Sequence, residues 1–250
     1  MHKLLYGKEI VKSFGEGDEK VKVLDGVSLD VHDGEFLAVM GPSGSGKSTL
    51  LYALSGMDNV DSGNVVFEGK ELSGLGDGEL SDLRRRRMGF VFQQPTLLKN
   101  LNILDNIILP AMRDHRKNVR HITSKARGLM KQVGIDGLED RDITQVSGGQ
   151  LQRAGICRAL MLSPKIIFGD EPTGALNSQS AQEIMELLSQ INEAGTAVLL
   201  VTHDVNVAAC TKRVLFMQDG GIVSELKFQE GEERAKRTET IMEEMRRIGI

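Results

Sequence analysis

The chain has 250 residues, 40% of them hydrophobic, and a net charge of -4. That is enough apolar material for one sizeable α/β domain, or a domain with an inserted subdomain, and the acidic balance gives no electrostatic case for nucleic acid as the main ligand. No apolar run approaches the ~20 residues of a membrane span, and the start MHKLLYGKEIVKSF lacks the apolar core and cleavage site of a signal peptide, so the chain is expected to be soluble by itself and to reach a membrane only through a partner.

HKLLYGKEIVKSF and VKVLDGVSLDV read as strands flanking the loop GEGDEK. EFLAVM (35–40) is a short apolar strand; a glycine-rich stretch follows, then KSTLLYALSGM turns helical. NVVFEG is another strand. DGELSDLRRRR has acids at its start and arginines at its end, which suits a helix dipole. The arginine run 84–87 reads as a solvated helix end rather than a nucleic-acid patch. MGFVFQ (88–93) is a buried strand, after which strands vanish and ILDNIILPAMRDH, ITSKARGLMKQVG and GGQLQRAGICRALML read as helices. KIIFGD (165–170) and AVLLVT (197–202) are apolar strands separated by the helix SAQEIMELLSQINEA, as in a parallel sheet covered on both faces. RVLFMQDGGIVSEL is a hairpin about an Asp-Gly-Gly turn. The charged tail places Ile241, Met242, Met245 and Ile248 at helical spacing.

This pattern predicts an α/β core over 1–93 and 163–229 with an N-terminal antiparallel β subdomain, a helical subdomain over 94–162, and a helical tail over 230–250. Cys157 and Cys210 match no metal spacing and read as reduced, buried, structural thiols of a cytosolic protein.

The chemistry begins with GPSGSGKS (41–48), a full match to G-x-x-x-x-G-K-[ST] between a strand and a helix. Gly41, Pro42, Ser43, Gly44, Ser45 and Gly46 form the loop; its glycines let backbone amides wrap phosphates. Lys47 would reach the β- and γ-phosphates, Ser48 would ligate Mg²⁺, and Thr49 would serve the α-phosphate. KIIFGDE ends an apolar strand in two acids. Asp170 is placed to hold the Mg²⁺ shell and Glu171 to polarise the water that attacks ATP. His203 ends the next strand, where it could sense the γ-phosphate. Gln93 could reach Mg²⁺ or water through its amide oxygen. TQVSGGQLQR (144–153) is a second phosphate-binding helix start, with bare amides and a serine hydroxyl.

Together these motifs, in this order and over nearly the whole chain, resemble the ATP-binding subunit of ABC transporters, a P-loop NTPase (RecA-like) fold. The resemblance makes Gln93 the Q-loop glutamine, VSGGQ the signature, IIFGDE Walker B, GALN the D-loop and His203 the switch histidine. It makes Phe14 the aromatic that stacks on adenine. It implies two copies meeting head to tail, so that Ser147, Gly148, Gly149 and Gln150 bind the nucleotide held by the partner's phosphate loop. Val146 stands where the family usually has leucine, with little effect expected, and Asn177 stands where it usually has aspartate, which keeps an acceptor and drops a charge. DEPTGALNS, GFVFQQPTLL and the long first loop resemble the subgroup of macrolide exporters, lipoprotein-release systems and FtsE-like division proteins. THDVNVAACTKRVLFMQDG and the helical tail lean towards bacitracin-resistance-type exporters.

The reading drawn from this is an ATPase, with ATP and Mg²⁺, peripheral on the cytoplasmic face of the membrane. It would power export of antimicrobial peptides or other amphipathic molecules with an FtsX-like permease, docked near residues 95–109 on a groove of Leu97, Leu98 and Leu101. The alternatives are an ATP-driven dimerising regulator of a membrane protein and a lipoprotein-release ATPase. A soluble DNA-repair or translation ATPase fits less well, because those normally carry a long coiled-coil insertion or two cassettes.

Overall fold

The computed structural model describes residues 2–115, 118–229 and 231–250. In chain order the elements are β1 (Lys3–Phe14), β2 (Val21–His32), β3 (Phe36–Met40), α1 (Lys47–Leu54), β4 (Ser62–Phe67), β5 (Lys70–Glu71), α2 (Asp77–Arg87), β6 (Met88–Phe92), α3 (Ile103–His115), α4 (Val119–Gln132), α5 (Gly148–Leu160), β7 (Ile166–Asp170), α6 (Ser178–Glu193), β8 (Ala197–Thr202), α7 (Val205–Ala208), β9 (Arg213–Gln218), β10 (Gly221–Lys227) and α8 (Arg234–Ile248). The two-residue β5 and four-residue α7 have no counterpart in the sequence reading, because such short pieces carry no periodicity.

The chain divides into two compact units, Met1–Ser81 with Ile191–Ile250, and Asp82–Gln190. The expected boundaries at 94 and 162 follow the change from strand to helix. The units divide within α2 and α6 instead, so β6 and β7 fall with the helices. The reason is local packing: α5 lies against β6, where a Cβ on Gly89 would stand 3.1 Å from the Ala159 carbonyl.

In the first unit, β1 pairs antiparallel with β2 and β4, and β5 extends the sheet in the order β2-β1-β4-β5. β3 lies between β8 and β9, parallel to both, in registers that run Phe36 to Val198 and Leu37 to Arg213. Every residue of β3 and β8 is buried, as two-sided cover requires. β9 turns into β10 through Asp219 (φ 47°) and Gly220 (φ 79°), the left-handed pair of a type I′ hairpin. α8 docks by Ile241, which is fully buried with Met40, Ala208, Val214 and Phe216, while Met245 and Ile248 pack on the same cluster and Met242 stays exposed.

In the second unit, β6 and β7 run parallel from Met88–Ile166 to Phe92–Asp170, and Phe90 stacks on Phe168 at 5.5 Å. The arginine run is not simply solvated. Arg85 is tucked in, its guanidinium held bidentately by Asp114 at 2.8 and 3.0 Å, and Arg113 reaches Asp82 at 2.8 Å. A rigid guanidinium fork suits a carboxylate in this way. These pairs tie α2 to α3. Asn106, fully buried on α3, pins the turn before it: its Oδ1 accepts from Leu98 N at 2.7 Å, and its Nδ2 donates to the carbonyls of Leu98, Leu101 and Asn102. Leu97 is buried, Leu101 is half-buried and Leu98 is exposed, so the expected three-leucine groove is reduced, with Leu97 serving the core.

Candidate functional site

In the first unit the loop 41–46 joins β3 to α1. Gly46 precedes the helix at φ 98°, ψ 8°, a left-handed conformation that favours glycine, and a Cβ there would stand 2.7 Å from the Val23 carbonyl. At Gly41 a Cβ would meet the Met217 carbonyl at 2.0 Å. Gly46, at the N-cap of α1, has no side chain to cap it, and the first amides of a helix lack intrahelical acceptors. Such a start favours an anion by both hydrogen bonding and dipole. Pro42, Ser43 and Gly44 form an exposed rim, with Ser48 and Thr49 half-buried behind it. Lys47 is buried and folds back, its ammonium donating to the carbonyls of Gly41 at 2.9 Å and Pro42 at 2.7 Å. The hairpin braces the loop, since Gly220 N donates to the Ser45 carbonyl at 3.2 Å.

Phe14 ends β1 with 47% of its surface exposed, and Lys12 Nζ lies 5.1 Å from its ring centroid. The ring is thus an exposed platform rather than part of the core. His203 is exposed directly after β8, between residues held in place: Asp204 N donates to Thr202 Oγ1 at 3.0 Å, and Asp204 caps α7 through Asn206 N at 2.7 Å.

In the second unit Asp170 is the last residue of β7 and Glu171 follows at φ 46°. A left-handed glutamate costs about 1–2 kcal/mol. The turn that follows holds it there, with Gly174 N donating to the Glu171 carbonyl at 2.9 Å. The Gln93 side chain rests on that same turn. A Cβ on Gly174 would stand 2.8 Å from Gln93 Nε2, so glycine leaves room for the amide. Asn177 caps α6, its Oδ1 accepting from Ser180 N at 2.9 Å. A neutral amide fills that cap as well as aspartate does.

The signature stretch forms a capping box. Ser147 Oγ accepts from Gln150 N at 3.3 Å, and Gln150 Oε1 accepts from Ser147 N at 2.8 Å. Ser147 and Gly148 are exposed, Gly149 and Gln150 half-buried, and Val146 is half-buried behind them. A second box, Asp142 with Gln145, sits just upstream, so the loop entering α5 is ordered by its own side chains.

The phosphate loop, Phe14 and His203 thus belong to the first unit, and Gln93, the signature, Asp170 and Glu171 to the second. Sequence reading passed over two residues of α5. Gln152 is buried and donates to the carbonyls of Phe92 and Pro172, and Arg158 donates to the Thr96 carbonyl at 2.7 Å and its hydroxyl at 2.9 Å. The available signal was a polar residue, Gln152, at helical spacing from Gly155 and Ile156 on an otherwise apolar face.

The ABC transporter family model matches residues 24–174 of this chain. Two relatives, both macrolide export ATP-binding/permease proteins MacB, come from Mannheimia succiniciproducens and Pasteurella multocida. Each is 41% identical over 218 residues, which is 87% of this chain but 34% and 33% of those proteins. The chain therefore spans about a third of the length of the curated relatives it matches. A dimeric bacterial ABC transporter cassette of known structure is 38% identical with a TM-score of 0.84, covering 90% of this chain and 99% of that one. A dimeric ATP-binding cassette in a post-hydrolysis state, bound to ADP and phosphate, is 37% identical with a TM-score of 0.81 over the same shares. The chain belongs to the ABC transporter family and is an ATP-binding cassette with the P-loop NTPase fold and an antiparallel β subdomain. Among the described residues no helix is long and apolar enough to cross a membrane.

Proposed function

We propose that this cassette binds and hydrolyses ATP to power export of amphipathic molecules through an FtsX-like permease. The observation that carries the reading is the glycine loop that leads into the start of α1 through the left-handed Gly46, with Lys47 at its base. Lys47 exchanges its carbonyl partners for the β- and γ-phosphates, and the loop amides hold the remaining charge. Phe14 offers a ring face to adenine. Ser48, Gln93 and Asp170 would hold Mg²⁺: a hydroxyl, an amide oxygen and a carboxylate are the hard oxygen donors this ion takes, and it would offset phosphate charge there. Glu171 polarises the attacking water, and His203 reports on the γ-phosphate.

Two copies pair on ATP, with Ser147, Gly148, Gly149 and Gln150 receiving the phosphates bound by the other copy. The exposure of Ser147 and Gly148 supports this, as do the dimeric forms in which the related cassettes were solved. The permease docks near Leu98 and Leu109, which are 46% and 43% exposed on the unit that carries Gln93. A surface of this kind accepts a short apolar helix. The cargo class rests on the subgroup motifs and on relatives named for macrolide export. The cassette would work peripherally, at the cytoplasmic face of the membrane.

The test is Glu171→Gln in purified protein. Turnover should fall about 100-fold or more, with ATP binding retained and a stable dimer seen by size exclusion in ATP. A monomer with normal turnover refutes the assignment.

A further inference from the structure

We propose that Gln152 is a positioning residue for ATP hydrolysis, tying the backbone beside Gln93 and the backbone beside Glu171 to the helix that begins at the signature. The inference rests on the function proposed above. Gln152 is 1% exposed, and its Nε2 donates to the Phe92 carbonyl at 2.9 Å and to the Pro172 carbonyl at 2.7 Å. Phe92 is the residue before Gln93 and Pro172 the residue after Glu171. The parallel ladder of β6 and β7 ends at the Phe92–Asp170 pair, and backbone carbonyls past a ladder's end need donors from elsewhere. One carboxamide nitrogen supplies both.

The other end of that carboxamide is telling. Gln152 Oε1 is buried with no hydrogen-bond partner among the described residues. The two carbonyls fix which end is nitrogen, and the side chain keeps both donor bonds at the expense of its acceptor. A side chain present only to fill space would be apolar here. A hydroxyl, with one hydrogen, could not reach both carbonyls. Gln152 is the fifth residue of α5, the helix that Ser147 caps, and Arg158 grips Thr96 from the same helix. Whatever the signature senses is carried by α5 to the backbone of both reacting residues.

The experiment uses the full chain with Gln152→Met, which keeps volume and apolar fit but removes both donors. Steady-state ATPase should show kcat lowered about 10- to 100-fold, the scale of a small misplacement of reacting groups, with KM for ATP and equilibrium ATP affinity held within about threefold. In a Glu171→Gln background the same change should lower residual turnover by a smaller factor than in wild type, because the part of its effect that runs through Glu171 is already lost and only the displacement of Gln93 remains. A Met variant at full kcat overturns the inference. So does a parallel loss of kcat, ATP affinity and melting temperature, which marks a merely structural residue. If the Met variant does not fold, Gln152→Asn, which keeps both donors one methylene short of their acceptors, is read the same way; failure of both to fold also makes Gln152 structural and overturns it. A wild-type chain that binds no ATP instead removes the function on which the inference stands, and the two failures are told apart by that measurement.

Discussion

Lys47 and Glu171 meet opposite constraints. Lys47 is a buried cation whose ammonium donates to two loop carbonyls, bonds that a phosphate would have to displace in the proposed function. Lys47→Ala removes a charge-assisted bond to phosphate, and nucleotide affinity should fall about 10- to 100-fold by equilibrium titration, with the fold retained. Glu171 holds a left-handed backbone, which favours an unbranched substitute, so Gln serves as its probe rather than a β-branched residue. The cysteines divide in the same residue-level way. Burial pushes the Cys157 thiol up to about 12, whereas Cys210, expected to be buried, is only half-buried, its thiol donating to the Asn206 carbonyl at 3.3 Å. Thiolate is the reactive form. A colorimetric thiol reagent at pH 8 should therefore modify Cys210 in the native chain and Cys157 only after unfolding; modification of both in the native chain contradicts the burial.

Among the elements, α8 is one whose attachment depends on ionisation. Glu244 on α8 accepts from Arg247 and from Ser224 on β10, and these bonds, Arg247 first, hold its carboxyl down to about 2 from 4.5. A depressed carboxylate contributes stability that is fully present above pH 4.5 and is lost as pH falls towards 2. Glu244→Gln should therefore weaken protection of α8 amides in hydrogen exchange at neutral pH, and the difference from wild type should shrink as the pH is lowered through that window. A difference that persists unchanged at low pH would place the effect in packing rather than charge. Ile241 supplies the apolar part of the same attachment.

The whole molecule tests the pairing. Lys47→Ala and Ser147→Arg chains, each inactive alone, form on mixing a heterodimer with one intact site and one doubly damaged site. ATPase activity should return to a fraction of wild type if sites fire singly, and one trapped nucleotide per dimer should be found if they fire together. No nucleotide-dependent pairing in any mixture would reduce the signature to a helix cap. At this scale the sequence was most informative where function is contiguous. The phosphate loop lies within nine residues, 41–49, and the hairpin turn at Asp219 and Gly220 within two. It was silent where partners are far apart in the chain. Nothing in DGELSDLRRRR names Asp114 as the partner of Arg85, and nothing in GGQLQR says that Gln152 reaches Phe92 and Pro172. Leu97 and Leu98 are one chemistry in sequence, and only tertiary packing decides which of them is buried.

A serine oxygen that has accepted one bond still has its hydrogen to give. At Ser147 the oxygen is engaged by Gln150 N, while Gln150 is engaged in return by Ser147 N, so the pair is settled inward before any second copy arrives. What this leaves to give is the Ser147 hydroxyl proton, beside the positive end of α5. Such a helix start favours negative oxygens over positive groups already in the lone chain. Because this start is ordered in advance, pairing on a partner's nucleotide, as proposed, would not have to order it, and the affinity usually spent on such ordering would be available for holding the two copies together.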